Sequence, residues 1–365
     1  MKKLEKNGVF HLAPSSNFAD DFVKGLTSKF ELKRTESRSD ILGPIRILTV
    51  NRRSAKTLRS AFFMRGFLTI PNITPLEDLK DFFDIQNVKK NNALIRSLES
   101  PIISKIEKHL ILDGLVRQYK RNQKDDVGSA SSLDLAKSLS DLIDEINIRG
   151  ISGSDLDKIR DVELSRHWEV TLDLIKNLLN GYTEALENTG YTDPHKKYLF
   201  EVKSLIKQWE KTPYSSPLII VGSTGSQYAT GMLMRAVSQL PQGMVVLPGL
   251  DKGLCDSDWD LLGFDHPQYS FTHLAKNWKN SSGYSDEILK SPEWYSKPCS
   301  KGEKSLKFRA KIFSLVMLPA QLTDRWVSNK VVIQKELEPA FKDVSLIEAE
   351  NIRIEAASIC EAISR

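Results

Sequence analysis

Residues 222–226 have the composition of a phosphate-binding loop, because glycines expose backbone N–H groups and hydroxyl side chains form hydrogen bonds. The loop consists of Gly222, Ser223, Thr224, Gly225 and Ser226, and it joins an apolar run to a helical pattern. A Walker A loop would need Lys after its second glycine. A dinucleotide fingerprint needs Gly-x-Gly-x-x-Gly and a nucleophile elbow needs Gly-x-Ser-x-Gly, and the loop has neither spacing.

Two interpretations of this loop remain open. The favoured one is a tight strand-to-helix turn in which Ser223, Thr224 or Ser226 caps the helix. The alternative is an anion nest at the helix N-terminus, which would serve a nucleotide- or phosphometabolite-binding α/β enzyme.

Carboxylates concentrate between residues 251 and 267, where Asp256, Asp258 and Asp260 have the spacing of a calcium loop. The pattern then fails, because Leu261 replaces the required glycine and Pro267 replaces the bidentate glutamate. The sequence therefore predicts a solvated, turn-rich loop. No Cys/His ligand spacing accompanies it, so we predict no metal site.

Basic residues follow the second predicted strand. Arg52, Lys56 and Arg59 share one helical face, with Arg53 beside them. This face would suit a phosphate backbone, or it is an ordinary solvated helix surface. A second basic group, Lys304, Lys307 and Arg309, surrounds an aromatic residue, a pattern that weakly indicates single-strand binding.

Strand and helix patterns alternate at both ends of the chain, which predicts a parallel α/β sheet. Predicted strands cover Val9–Pro14, Pro44–Val50, Phe67–Ile73 and Gly243–Leu250, and another begins at Pro217. We expect residues 1–75 to form the first half of the α/β domain and residues 76–212 to form a large helical insertion. Residues 213–326 would complete the domain, with an irregular loop at 251–302, and residues 327–365 would begin a further helical region.

Composition sets broad limits on the class of protein. The chain has 365 residues, 40% hydrophobic and 27% charged, which is typical of a globular protein of two or three units. Its net charge of +5 mildly favours polyanionic partners. Three scattered cysteines predict a reducing, cytoplasmic setting, and without an apolar run of about 18 residues we predict no membrane span.

Several segments, in order, resemble one family. They are "ILTVNRRSAKTLRSAFF", "HWEVTLDLI", "DHPQYSFTHL", "RAKIFSLVMLPAQLTDRW" and, most specifically, "VGSTGSQYATGMLMRAVSQLPQGMVVLPGLD". From about Val9 to Trp326 the chain resembles the N-terminal part of the AddB family in its alphaproteobacterial form. AddB is a subunit of the AddAB helicase–nuclease, which processes DNA double-strand breaks.

The resemblance implies a RecA-like parallel sheet of a degenerate superfamily 1 helicase domain with a large helical insertion. It also implies a non-catalytic scaffold that contacts single-stranded DNA and duplex ends and takes part in scanning for the recombination hotspot Chi, while AddA supplies the motor. The segment "HLAPSSNFADDF" lacks the glycines and Lys of Walker A. Gly222 and Ser223 stand where a motor would carry its magnesium-binding carboxylate, so phosphoryl transfer would lack charge neutralisation.

The chain departs from the family in extent. AddB chains end in a nuclease domain whose cysteines hold an iron–sulfur cluster, and nothing here matches that domain or a second helicase-like half. Residues after about Val327 match weakly. We therefore expect a truncated AddB with neither an ATP site nor a nuclease site, and no cofactor of its own.

Overall fold

The computed structural model describes residues 8–14, 17–30, 39–83, 92–122, 129–151, 155–156, 166–278, 286–295, 301–341 and 344–364. Within them, five strands form one sheet in the order β1-β5-β4-β2-β3, and all neighbouring strands are parallel. The strands are β1 (Gly8–Leu12), β2 (Arg46–Thr49), β3 (Asn72–Pro75), β4 (Leu218–Val221) and β5 (Gly243–Pro248). The predicted α/β class with a parallel sheet is confirmed.

The described helices lie between these strands and after the last of them. The described helices are α1 (Phe18–Lys29), α2 (Ser39–Leu42), α3 (Arg52–Met64), α4 (Asn92–Glu99), α5 (Lys105–Asn122), α6 (Ser129–Arg149), α7 (Arg166–Thr189), α8 (Pro194–Lys211), α9 (Tyr228–Gln239), α10 (Tyr269–Asn277), α11 (Asp286–Leu289), α12 (Lys301–Val316), α13 (Asp324–Ser328), α14 (Lys330–Phe341) and α15 (Ile352–Ser364).

Apolar strands buried on both faces explain why the sheet is parallel and central. All four residues of β4 are buried, and they alternate between the two faces of the sheet. On one face, Ile219 and Val221 belong to a core that also contains Phe22 of α1 and Phe62 of α3. Helix α9 packs against β4 and β5 on the other face. Helix α3, which connects β2 to β3, and helix α9, which connects β4 to β5, therefore lie on opposite faces of the sheet. Right-handed crossovers require this, because the two connections run in opposite directions across the sheet.

Helices α4–α8 lie between β3 and β4 and include a core of their own, which contains Leu112, Leu139 and Tyr182. A buried ammonium group joins three of these helices: Lys108 Nζ lies 2.6 Å from Asp144 Oδ1 and 3.6 Å from Asp193 Oδ2. Asp193 also caps α8 and accepts a hydrogen bond from the Tyr182 hydroxyl, so the partners of its carboxylate lie within the helical block.

The third strand lies later than predicted. Phe67–Ile73 was expected to be a strand, but β3 is Asn72–Pro75. The apolar residue Phe67 instead completes the end of α3: its N–H donates to the Phe62 carbonyl at 3.2 Å, and Gly66 has a φ of 80°. The two phenylalanine rings meet at 5.8 Å. This is a Schellman cap with its hydrophobic contact, which uses residues that a local pattern assigns to a strand.

The chain divides into two compact units. The sheet unit comprises Met1–Leu250 with Tyr269–Tyr295, and the second unit comprises Asp251–Gln268 with Ser296–Arg365. Residues 213–326, expected to complete the α/β domain, contain segments of both units.

Candidate functional site

The glycine loop begins where β4 ends, at the carboxyl edge of the sheet. Gly222 and Gly225 have left-handed φ angles of 82° and 66°, which glycine adopts without strain. Between them, the Ser223 hydroxyl accepts the Gly225 N–H at 3.1 Å. One of the N–H groups that a phosphate would need is therefore bound within the loop itself.

The predicted cap of the following helix is wrong. Helix α9 begins at Tyr228, and its N-cap residue is Gln227, whose side chain makes no capping hydrogen bond. Ser223 is not the cap, because its hydroxyl turns back to Gly225. Neither Thr224 nor Ser226 holds the N-cap position, since the left-handed turn at Gly225 delays the start of the helix.

Apolar side chains close the loop on two sides. A Cβ on Gly222 would lie 3.5 Å from Phe18 Cε1, so the ring of the first α1 residue rests against the end of β4. A Cβ on Gly225 would lie 2.6 Å from Leu274 Cδ1, so α10 packs directly against the turn. A bound phosphate needs approaching N–H groups and cations. Here the side chains packed beside the two glycines are hydrocarbon rather than cations.

The start of α1 also lacks the features of an anion site. Helix α1 follows β1, and the Asn17 side chain caps it by accepting the Asp20 N–H at 3.1 Å. Asp20 adds a carboxylate to the first turn, and Arg65 Nε approaches it to 2.5 Å. The hydrogen bond from Arg65, supported by one from Lys24, lowers the pKa of Asp20 to about 2. An ionised carboxylate here opposes a second anion.

The predicted basic face of α3 is exposed. Asn51 caps this helix by accepting the Ser54 N–H at 2.9 Å, and Arg52, Arg53 and Lys56 follow with exposed side chains. None of the three side chains forms an ion pair or hydrogen bond with another described residue. They are therefore available to an anionic ligand.

Arg59 differs from these three cations. Its Nη2 donates to the Ile73 carbonyl of β3, so the guanidinium group ties α3 to the edge strand. The residues of the second basic group also differ in whether they are bound within the structure. Arg309 donates from Nε to the Ala340 carbonyl at 2.8 Å, Lys307 is exposed, and the side chain of Lys304 lies outside the described residues. The two basic groups belong to different units.

The acidic segment is turn-rich and largely exposed, as its composition predicts, but one of its carboxylates is an exception. Asp258 is fully buried, and both of its oxygens accept hydrogen bonds from Arg325 at 2.6 and 2.8 Å. Asp258 also accepts the Cys255 N–H at 2.8 Å. The segment therefore holds the second unit together, and the sequence carried no signal for this, because the partner lies far along the chain.

Sequence reasoning also missed apolar residues next to the basic face. Phe63, Met64 and Leu68 are 58%, 88% and 89% exposed. Gly66 was a usable signal, since a glycine ending a helix indicates a Schellman cap that buries Phe67 and leaves its apolar neighbours outside.

A cavity of about 510 Å³ lies elsewhere in the sheet unit, at the amino end of β1, where Val9, Gln239 and Lys290 are among its lining residues. This is the opposite edge of the sheet from the glycine loop, so the cavity is not part of the candidate site.

Among the described residues, no group of three or more His, Cys, Asp or Glu side chains is placed to hold a metal ion. No helix in the same part of the chain has both the length and the apolar character needed to cross a membrane. Neither the models of known protein families nor the curated proteins contain a match to this chain.

Proposed function

We propose that this chain is a non-catalytic, helicase-like scaffold and DNA-contact region of the AddAB type, acting in double-strand break repair. In this proposal its partners are DNA, both single strands and duplex ends, and a separate AddA motor subunit in the cytoplasm. The observation that carries the proposal is the exposed set Arg52, Arg53 and Lys56, which is unpaired among the described residues and directly follows a parallel strand.

The sheet supports the comparison with a RecA-like motor core. Its parallel strands place the ends of β1, β4 and β5 along one edge, where ligands of open α/β sheets bind. At that edge Asn17 and Ser223 satisfy local N–H groups, while Phe18 and Leu274 occupy the space beside the glycines. This arrangement favours a protein that keeps the parallel sheet of a motor core but does not bind or hydrolyse a nucleotide there.

The competing proposal is a nucleotide- or phosphometabolite-binding enzyme that uses the glycine loop. It requires the loop N–H groups to face an anion, and the Gly225 N–H, which already donates to the Ser223 hydroxyl, argues against it. Substituting these glycines would be a poor test, because a Cβ at Gly225 would already collide with Leu274.

Binding and hydrolysis measured on the same preparation separate the two proposals. We expect the full chain to bind a fluorescent single-stranded oligonucleotide with an affinity that falls as the salt concentration rises, and to hydrolyse no ATP, with or without DNA. Charge reversal in Arg52→Glu/Lys56→Glu should weaken oligonucleotide binding by about tenfold or more.

Lys137→Glu is the matched control, because this exposed lysine already pairs with Asp134 on α6. Micromolar ATP binding, or hydrolysis abolished by Ser223→Ala, would favour the enzyme. Unchanged oligonucleotide affinity in the Arg52/Lys56 double variant would exclude α3 as the contact.

A further inference from the structure

The exposed face of α3 continues past its cations into an apolar end. At 100° per residue, Arg52, Lys56 and Phe63 lie within about 40° of one another around the helix. Phe63 lies eleven positions after Arg52, which is about 16 Å along the axis. The ring of Phe63 is 58% exposed, and the flexible side chain of Met64 beside it is 88% exposed.

The end of α3 is held firmly. The N–H groups of Gly66 and Phe67 donate to the Phe63 and Phe62 carbonyls at 2.8 and 3.2 Å, and the Phe67 ring packs against Phe62. At the other end Asn51 caps the first turn. Both the cations and the exposed ring therefore stand on a helix fixed at each end, so little backbone order is lost when a ligand binds.

The charge of this face indicates the chemistry of its ligand. Helix α3 contains four basic residues and no acidic one between Arg52 and Met64. Cations beside an exposed aromatic ring are typical of surfaces that bind single strands. Cations contact phosphates, and a ring offers a π-face on which any base can stack.

We propose that this face of α3 binds single-stranded nucleic acid, with Arg52, Arg53 and Lys56 on the phosphates and Phe63 stacking against a base. This inference rests on the proposed DNA-contact function and makes it more specific, because stacking on Phe63 requires an unpaired base. A duplex presents its phosphates to the same cations but keeps its bases stacked inside, so the single strand is the preferred ligand.

An abasic oligonucleotide tests the role of the ring, because it carries the same phosphates as oligo-dT of equal length and lacks the bases. We expect the wild-type chain to bind oligo-dT about tenfold more tightly than the abasic strand. Phe63→Ala should remove most of that difference and leave binding of the abasic strand unchanged. Phe63→Trp keeps a ring and should bind oligo-dT at least as tightly as wild type.

Phe264→Ala is the matched control, because Phe264 is 85% exposed and lies beside an acidic residue, Asp265. It should leave both affinities unchanged. Equal binding of oligo-dT and the abasic strand by the wild-type chain would overturn the stacking inference but leave the DNA-contact proposal standing. Failure to bind either strand would overturn both.

Two further outcomes would overturn the stacking inference alone. The first is an unchanged affinity of Phe63→Ala for oligo-dT, which would leave the apolar end of α3 as a protein-docking surface. The second is weaker binding of oligo-dT by Phe63→Trp, which would show that the ring itself is not what the ligand needs.

Discussion

The Asp258 carboxylate is fully buried, yet it is completely satisfied within the second unit. Arg325 donates to both of its oxygens, and the Cys255 N–H donates to one of them. A buried charge is tolerated only when its hydrogen bonds are made, so this pair holds together two segments that are distant in sequence. The hydrogen bond from Arg325 is the main reason that the pKa of Asp258 lies below its ordinary value of 3.8.

Neutralising Asp258 should destabilise the chain in a pH-dependent manner. We expect Asp258→Asn to lower the free energy of unfolding by about 1.5–3 kcal/mol at pH 7, because a hydrogen-bonded charge pair is lost. The folded-state pKa of Asp258 is depressed, so the wild-type contribution is present above the unfolded pKa and is lost as pH falls through the folded pKa.

Urea unfolding of the wild type and of Asp258→Asn, at pH 7 and below pH 3, measures this effect. The difference between their free energies of unfolding should be smaller in acid. Asp265→Asn, which alters an exposed carboxylate in the same segment, is the control. A gap of equal size at both pH values would mean that the charge of Asp258 contributes nothing.

At the scale of elements, sequence patterns located four of the five described strands, because β1, β2, β4 and β5 are short apolar runs between helical patterns. The start of α3 could also be predicted from the sequence, since asparagine is a strongly preferred N-cap residue and Asn51 holds that position. The position of β3 was not, because Phe67 serves the cap of α3 rather than a strand.

Tertiary partners explain what the sequence could not show about the candidate site. Four basic residues of α3 share one local pattern, but Arg59 is bound to Ile73 of β3 while the other three are unpaired among the described residues. Similarly, the composition of the glycine loop matches a phosphate site, but the side chains packed beside its glycines, Phe18 and Leu274, come from other helices. Local patterns predict residue types and elements, whereas the use of a side chain depends on what packs against it.

The packing of α10 against the glycine loop gives a prediction at this scale. Gly225→Ala should destabilise the fold in two ways, by placing a side chain at a φ of 66° and by bringing Cβ within 2.6 Å of Leu274 Cδ1. The backbone strain alone is worth about 1–2 kcal/mol, and overpacking adds about 1–3 kcal/mol.

Gly249→Ala is a control with the first effect alone, because Gly249 has a φ of 60° and no atom within 4 Å of its added Cβ. The difference between the two variants in urea unfolding isolates the contact with α10. Equal losses of stability would show that Leu274 moves aside without cost.

At the scale of the whole molecule, charge is nearly balanced, with 52 basic against 47 acidic residues. A net charge of +5 gives little general attraction for a polyanion, so affinity for nucleic acid must come from local groups of unpaired cations. Many basic side chains are already used within the structure: Lys108, Arg309 and Arg325 all bind internal acceptors. Specific contacts should therefore be few.

This balance predicts a shallow salt dependence for single-strand binding. If Arg52, Arg53 and Lys56 each neutralise one phosphate, the logarithm of the binding constant should fall against the logarithm of salt concentration with a slope of about −2, since each contact on a single strand contributes about 0.7. Lys56→Gln should reduce the size of that slope by about 0.7, and Lys137→Gln should leave it unchanged. Anisotropy titrations of oligo-dT at several salt concentrations measure these slopes. A slope of −5 or steeper would place most contacts on other basic residues and remove α3 as the principal nucleic-acid surface.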